Sequence, residues 1–259
     1  MPIELAYCTW GLSGYDETIL DHIARARIPW IDIRPGDFVH PAGRRHMYEV
    51  GLQESCMGIS FGIPKDTALD SADLSERMKA VRSCESSILR ANDIGVRTVY
   101  VIPNQDACEE ALARYAHSLT RIADHAQSLN VRVAIEHFPH TALPTIAATL
   151  AFLREVAHPN LFLLLDIGHA LMTDEDVPVA IGDAGPLLGY VHLDDNDGVG
   201  DLHLALLDGK LTPPSLRATF DALKEHGYDG RASLELHPGL EDPVDAMLRS
   251  RDAALAALE

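Results

Sequence analysis

Short apolar runs and longer amphipathic segments alternate along the chain, and this alternation predicts its secondary structure. The apolar runs, such as "LFLLL" at 161–165, are nearly continuous, which is typical of β-strands covered on both faces. The longer segments repeat apolar residues at three- and four-residue spacing, as amphipathic helices do. One such stripe consists of Leu112, Tyr115, Leu119, Ile122, Ala126 and Leu129. A strand followed by a helix, repeated along a chain, predicts a parallel sheet.

The strand–helix unit occurs eight times in the 259 residues, and this number favours a closed (β/α)8 TIM barrel. The prediction is one domain, residues 1–259, because no linker or low-complexity tract divides the chain. An open, doubly wound sheet is the competing fold. No glycine-rich nucleotide-binding motif follows any predicted strand, so nothing supports that alternative. The sixth helical segment, "VPVAIGDAGP", is weak and is expected to be short or irregular.

Composition narrows the classes of function. The chain has 47% hydrophobic and 23% charged residues, with a formal net charge of −18, which disfavours binding to nucleic acid or to an anionic membrane surface. No apolar run approaches membrane-spanning length, and the first residues do not have the pattern of a signal peptide. The four cysteines are widely spaced and are expected to be buried, reduced thiols. Together these features predict a cytoplasmic protein.

Candidate chemistry lies at the ends of the last four predicted strands. Glu136, Asp166, His192 and Glu235 each follow an apolar run and are spaced by roughly one strand–helix unit, with a longer excursion before the last. In a barrel of this kind, function gathers at the carboxyl ends of the strands. Neighbouring strands lie about 4.8 Å apart, so four consecutive strand ends can converge on one point. Any one of these acids alone could equally cap a helix or form an ion pair.

Three carboxylates in one buried place repel one another unless a cation lies between them. Three oxygen ligands and one imidazole suit a hard or borderline divalent cation. Mn²⁺ is the first expectation, followed by Mg²⁺, Co²⁺ or Zn²⁺. A structural zinc site would use cysteines, and none lies at these positions.

Further polar residues accompany the four candidates. His169, three residues after Asp166, could contact a substrate hydroxyl or cap the next segment. Asp201 and His203 stand two residues apart in the loop after the seventh strand and are predicted, with His169, to contact the substrate. Most other acids of this loop are expected to be solvated turn residues. His137 and His237 each follow a candidate ligand by one residue and are expected to point away from it, because side chains alternate along a strand.

Four motifs resemble the xylose isomerase-like barrel superfamily: the glutamate of "VAIEHF", the "DIGH" after strand six, the "VHLDDNDGVGDLH" after strand seven and the "LEL" of strand eight. That group includes sugar isomerases and epimerases, a keto-inositol dehydratase and endonuclease IV. The resemblance implies that Glu136, Asp166, His192 and Glu235 bind one divalent metal and that the two glutamates act as an acid/base pair. It also implies a substrate or metal-shell role for His169. Asp201 and His203 match a pair that binds an additional zinc in the nuclease branch.

The chain departs from the nuclease branch in its first half. The second to fourth strands end in "DIRPGDF", "ISFGIPKD" and "VYVIPN", which supply none of the histidines that a zinc cluster needs. The first-half strand ends are expected to form pocket walls instead, with Tyr7, Trp10, Arg34 and Lys65 as candidate substrate contacts. Arg34 or Lys65 could equally form a surface ion pair.

The resulting prediction is a metal-dependent isomerase or epimerase acting on a sugar or keto-cyclitol. It would remove a proton next to a carbonyl and pass through a metal-stabilised enediolate. The same residues could serve a lyase, such as a keto-inositol dehydratase or a subunit that cleaves an oxidised glycoside. A catalytically silent binding or partner subunit is a third reading. The expected partner is a small sugar-like molecule, and the resemblance also suggests a homo-oligomer.

Overall fold

The structure, a computed structural model, describes residues 3–259 and confirms the (β/α)8 TIM barrel. Eight parallel strands pair in chain order, and the eighth pairs with the first, so the sheet is closed. The strands are β1 (Glu4–Cys8), β2 (Trp30–Ile33), β3 (Gln53–Gly58), β4 (Thr98–Val101), β5 (Arg132–Glu136), β6 (Leu161–Asp166), β7 (Leu188–Leu193) and β8 (Arg231–Leu234).

Helices surround the strands. They are α1 (Asp16–Arg25), α2 (Pro41–Glu49), α3 (Leu74–Asp93), α4 (Glu109–Ser128), α5 (Ile146–Val156), α6 (Ile167–Met172), α7 (Val177–Ala184), α8 (Pro213–Glu225) and α9 (Pro243–Leu258). Several begin at a side-chain cap; Asp73, for example, accepts the backbone N–H groups of Ser75 and Glu76 at the start of α3. The weak sixth segment of the sequence forms the short helix α7 of 8 residues, as expected, and the further short helix α6 lies between β6 and this segment.

The larger part of the hydrophobic core lies between the barrel and its helices. The stripe predicted on α4 faces this core, with Tyr115, Leu119 and Ile122 almost fully buried. The outward-facing residues of the strands complete the layer, as with Val133 and Ile135 of β5. Burial of apolar surface on this scale is the main force that closes the sheet.

A second, smaller cluster fills the inside of the barrel. It consists of Cys56, Tyr100, Ala134, Leu164 and Tyr190. Because side chains alternate along a strand, the residues two positions later on β5, β6 and β7 also point inward, one layer nearer the carboxyl end. The filled interior therefore places the next inward residues at the mouth of the barrel.

The structure bears on two expectations from the sequence, one about membrane-spanning helices and one about the cysteines. In the described part of the chain, no helix is long and apolar enough to cross a membrane. Cys8, Cys56 and Cys84 are buried free thiols, as expected, but Cys108 is exposed. Its sulfur accepts the Ala111 N–H at 3.4 Å at the start of α4, so it caps a helix where the sequence suggested a core residue.

Candidate metal centre at the barrel mouth

Four side chains from successive strands meet at the carboxyl end of the barrel. Glu136 and Asp166 are the last residues of β5 and β6, His192 lies in β7, and Glu235 directly follows β8. Asp166 pairs in register with His192 across the neighbouring strands. All four are buried, with between 0% and 7% of their surface exposed. Rigid, hydrogen-bonded strands thus fix the position of each group.

The donor atoms of these residues surround a common point. One nitrogen or oxygen from each of the four lies within 4.8 Å of the others. His192 Nδ1 is 2.6 Å from Glu235 Oε2, 3.5 Å from Glu136 Oε1 and 3.9 Å from Asp166 Oδ2. These separations match those between neighbouring ligands of a cation bound at about 2.0–2.3 Å.

Unpartnered atoms provide a test of whether a metal fits. Asp166 Oδ2, His192 Nδ1 and Glu235 Oε2 are buried, and none has a hydrogen-bond partner among the described residues. Although His192 Nδ1 and Glu235 Oε2 are close, they do not meet hydrogen-bond geometry. Buried polar atoms are normally hydrogen-bonded, and an unsatisfied group usually marks a missing ion or water. The residues present therefore fit a divalent cation with oxygen and imidazole ligands.

The electrostatics of the group reflect three carboxylates in one buried place. Burial raises the pKa of Glu136, and the charge of Glu235 adds to this effect. Burial opposes ionisation of Asp166 as well, but the charges of His169, His203 and His192 lower its pKa to about 2. Without a cation, the carboxylates depend on neighbouring imidazolium groups for compensation.

Asp166 also organises the backbone around it. Its Oδ1 accepts the backbone N–H of His169 at 2.8 Å and so caps α6, which leaves Oδ2 directed to the common point.

His137, the next residue after Glu136, faces away from the mouth, as expected. Its ring Nε2 accepts the Asp166 N–H at 3.1 Å, and burial lowers its pKa to about 3. A neutral His137 ring therefore joins β5 to β6 behind the candidate ligands. His237 has a local role, because its Nδ1 accepts the N–H of Gly239.

A second polar cluster lies beside the first. Asp201 Oδ1 is 3.3 Å from His169 Nε2 and 3.1 Å from His203 Nε2, and the other ring nitrogen of His203 is 2.8 Å from Asp194 Oδ2. His169 is buried, whereas the side chains of Asp201 and His203 are 31% and 17% exposed. His169 donates from Nδ1 to the His137 carbonyl oxygen at 3.1 Å. The three residues predicted as substrate contacts are thus together at the rim of the mouth.

The expectation of solvated acids after β7 is wrong for Asp194 and Asp195, the first two residues of that loop, which are fully buried together with Asn196. The two carboxylate oxygens of Asp195 accept backbone N–H groups of Asn196, Gly209 and Leu211 at 2.7–3.0 Å. These bonds hold the loop against the barrel. A buried acid that binds backbone N–H groups has the same sequence appearance as a turn residue, so the sequence offered no signal of this role.

The first-half candidates separate into two groups. Trp10 follows β1, and its indole N–H donates to Glu235 Oε1 at 2.8 Å. The Arg34 guanidinium lies 5.6 Å from the centre of the Trp10 ring and 5.1 Å from that of Phe61. These residues adjoin the mouth. Tyr7 packs instead in the core between barrel and helices, because it alternates with the inward-facing Cys8.

Lys65, the fourth first-half candidate, is exposed in the segment after β3. No ion pair or hydrogen bond joins its side chain to another described residue. Lys65 therefore shares no ion pair or hydrogen bond with the other candidates, and its role as a substrate contact stays a prediction.

Asp32 also lies beside the candidate ligands, although the sequence pattern did not indicate it. This aspartate of β2 is fully buried inside the barrel, and its Oδ2 is 3.6 Å from His192 Nε2. Its other oxygen accepts the Tyr190 hydroxyl at 2.7 Å and the Cys56 N–H at 3.1 Å. The available signal was a single acid within the otherwise apolar strand "WIDI".

Comparison with known proteins adds a family and named relatives. A family model described as the xylose isomerase-like TIM barrel matches residues 27–254. An L-ribulose 3-epimerase from Mesorhizobium japonicum is 26% identical over 243 residues, which cover 87% of this chain and 78% of that enzyme. A ketose 3-epimerase from Arthrobacter globiformis is 30% identical over 134 residues, which cover 51% of this chain and 44% of that enzyme.

Solved structures agree on the fold. A D-allulose 3-epimerase from Methylomonas sp. superposes on this chain with a TM-score of 0.83 at 20% sequence identity. The match covers 99% of this chain and 98% of that one. At this level of identity, the similarity establishes the architecture alone.

Proposed function

The chain belongs to the xylose isomerase-like TIM barrel family, and on that premise we propose that it is a divalent-metal-dependent epimerase of ketose sugars. The observation that carries this proposal is the group of four buried donor atoms within 4.8 Å at the barrel mouth, three of them without hydrogen-bond partners. The type of reaction is inferred from two relatives, one an L-ribulose 3-epimerase and the other a ketose 3-epimerase.

Glu136, Asp166, His192 and Glu235 would hold the cation, with Mn²⁺ as the first expectation and Mg²⁺, Co²⁺ or Zn²⁺ as alternatives. When bound, the cation would polarise the carbonyl of a ketose, acidify the neighbouring C–H and stabilise the resulting enediolate. The separation of the four donor atoms and their burial support this assignment.

The two glutamates would perform the proton transfers. Glu136 and Glu235 come from β5 and β8, and the ligands of β6 and β7 lie between them around the barrel. They therefore approach the space above the mouth from different directions. One carboxylate would remove the proton from the carbon next to the carbonyl, and the other would return a proton to the opposite face, which inverts that carbon. The Trp10 indole N–H fixes Glu235 Oε1 and leaves Oε2 directed to the centre.

Residues around the mouth would bind the sugar. His169, Asp201 and His203 present polar groups on one side, suited to hydroxyl groups. Trp10 and Arg34 form the other side, in which an aromatic face can pack against the C–H groups of a sugar. Lys65 completes the predicted set as a more distant contact. A small, uncharged polyol with a carbonyl fits this combination better than an anionic polymer does.

Epimerisation is preferred over the other reactions of the same residues because of the named relatives. Return of the proton to the neighbouring carbon would give aldose–ketose isomerisation, and loss of a β-hydroxyl would give a lyase. A silent binding subunit would have no reason to keep three mutually repulsive acids in one buried place. Cytoplasmic location, a homo-oligomeric state and a single domain over residues 1–259 stay predictions.

Solvent exchange tests the proposal. Protein stripped with a chelator and reloaded with Mn²⁺ is incubated in D₂O with a panel of ketoses and keto-cyclitols, and products are followed by NMR and mass spectrometry. We expect deuterium at C3 of a ketose together with its C3 epimer, and no exchange in the stripped protein. An aldose product would instead indicate an isomerase, and loss of water a lyase. If the protein neither bound metal nor exchanged deuterium, a catalytically silent subunit would be the remaining interpretation.

A further inference from the structure

Asp32 is a buried carboxylate that the proposed reaction does not use. It lies in β2 inside the barrel, below the four candidate ligands, and is 0% exposed. Among residues 3–259, its one ion-pair contact within 4 Å is with His192. A buried carboxylate without a lysine or arginine is costly, and it persists only where other groups compensate for it.

The two oxygens of Asp32 have different surroundings. Oδ1 accepts two hydrogen bonds, from the Cys56 backbone N–H at 3.1 Å and from the Tyr190 hydroxyl at 2.7 Å. Tyr190 is in turn 2.5 Å from the Ser55 hydroxyl. These donors come from β3 and β7, so they fix the carboxylate plane from two sides. Oδ2 faces His192 Nε2 at 3.6 Å and the Cys8 thiol at 3.7 Å.

The two ring nitrogens of His192 face different carboxylates. Nδ1 faces the carboxylates of Glu136, Asp166 and Glu235, while Nε2 faces Asp32. A neutral imidazole has one N–H and one lone pair, and only the lone pair can bind a cation. A proton on Nε2 leaves the lone pair on Nδ1, where the other three ligands converge.

We infer that Asp32 is a positioning residue that keeps the proton of His192 on Nε2 and so presents Nδ1 to the cation. This inference rests on the proposed metal centre. Tyr190 and Cys56 hold the carboxylate in the orientation that faces the ring, since they occupy its other oxygen. The contact of 3.6 Å is longer than a hydrogen bond, so Asp32 acts on His192 here through electrostatic attraction. Carboxylates behind metal-binding histidines typically have this effect.

Isosteric substitution tests the inference. Asp32→Asn can still accept from Cys56 and Tyr190 through its amide oxygen, but it places an N–H₂ donor against His192 Nε2. Glu54→Gln is the matched control, because Glu54 is also a buried acid of the barrel sheet (8% exposed) but lies in β3 at the opposite end. Mn²⁺ is titrated into each chelator-stripped protein by calorimetry, and the Co²⁺ forms are compared by visible absorption.

We expect the wild type to bind one equivalent of Mn²⁺ at the mouth and Asp32→Asn to bind it about 10- to 100-fold more weakly. The Co²⁺ absorption band should change in position or intensity in Asp32→Asn, because the imidazole ligand is lost or reoriented. Glu54→Gln should match the wild type in both measurements. If Asp32→Asn does not fold, as judged by circular dichroism, Tyr190→Phe replaces it. That variant should weaken binding about fivefold, since it removes one hydrogen bond to the carboxylate.

The outcomes separate this inference from the proposed function. Equal affinity and an unchanged Co²⁺ spectrum in Asp32→Asn, or in Tyr190→Phe where it is the substitute, overturn the inference while the metal centre stands. Two equivalents in the wild type, of which Asp32→Asn loses one, also overturn it, because Asp32 would then be a ligand together with Cys8 and His192. No binding in the wild type removes the metal-dependent function and the inference together.

Discussion

The two halves of the barrel contribute different groups to the same mouth. Strands β5 to β8 end in three carboxylates and one imidazole, whose donor atoms converge within 4.8 Å. Strands β1 to β4 contribute an indole and a guanidinium at the rim and one aspartate below. The candidate ligands at the centre of the mouth thus come from the second half of the chain, whereas the first half supplies groups that contact them from the rim and from below. Variants in each half should therefore fail in different ways.

The largest effect is expected in the second half, at Glu235. Glu235→Gln keeps the shape of the side chain but cannot accept a proton, so turnover should fall about 10²- to 10⁴-fold. Deuterium exchange into the ketose measures this directly. Glu241→Gln, an exposed acid a few residues further along, should leave turnover unchanged. An active Glu235→Gln protein would contradict the acid/base role of this residue.

Asp166 separates metal binding from turnover. In the wild type, Mn²⁺ at about 100 times its dissociation constant should raise the free energy of unfolding by about 2.7 kcal/mol. Asp166→Asn should lose most of this stabilisation, because one of the four ligands no longer carries charge. Thermal unfolding with Mn²⁺ and with a chelator checks this, and Asp183→Asn on the surface of α7 is the control. Equal stabilisation of both variants would exclude Asp166 as a ligand.

Trp10 tests the first half, where we expect a smaller loss. Trp10→Phe removes the hydrogen bond to Glu235 Oε1, so turnover should fall about tenfold while Mn²⁺ affinity changes little. Trp30→Phe is a matched control, because the Trp30 N–H has no hydrogen-bond partner among the described residues. If Trp10→Phe lost both metal binding and turnover, the assignment of metal binding to the second half of the chain alone would be wrong.

The smallest effect concerns a residue of the second half that faces away from the mouth. The pKa of His137 is lowered from 6.5 to about 3 in the folded protein, so the unfolded chain binds a proton first as pH falls. The contribution of the neutral His137 ring to the free energy of unfolding is therefore largest above pH 6.5. It declines below that pH, by about 1 kcal/mol between pH 6.5 and 5.5. His137→Gln should lose correspondingly less stability over this interval in urea unfolding. His237→Gln, at an exposed turn, should follow the wild type.

The sequence predicts the fold and the second half of the site better than the first half. Eight repeats of one pattern indicate the barrel, and four strand ends of the same character indicate the candidate ligands. The Trp10–Glu235 bond joins residues 225 positions apart, and no local pattern indicates such a contact. Asp32 stands inside a strand of four residues, and its role depends on Tyr190 and His192, which lie far along the chain. Tertiary contacts of this kind leave no periodic signal.

The closure of the sheet between β1 and β8 has a consequence for how the protein acquires its activity. The first and last strands are neighbours, and Trp10 and Glu235 meet across this seam. Neither a nascent chain that stops before β8 nor an amino-terminal fragment that lacks it can assemble the full set of candidate ligands. A circular permutant with its new ends in a surface loop would keep the seam intact, and catalytic competence should therefore report on completed folding.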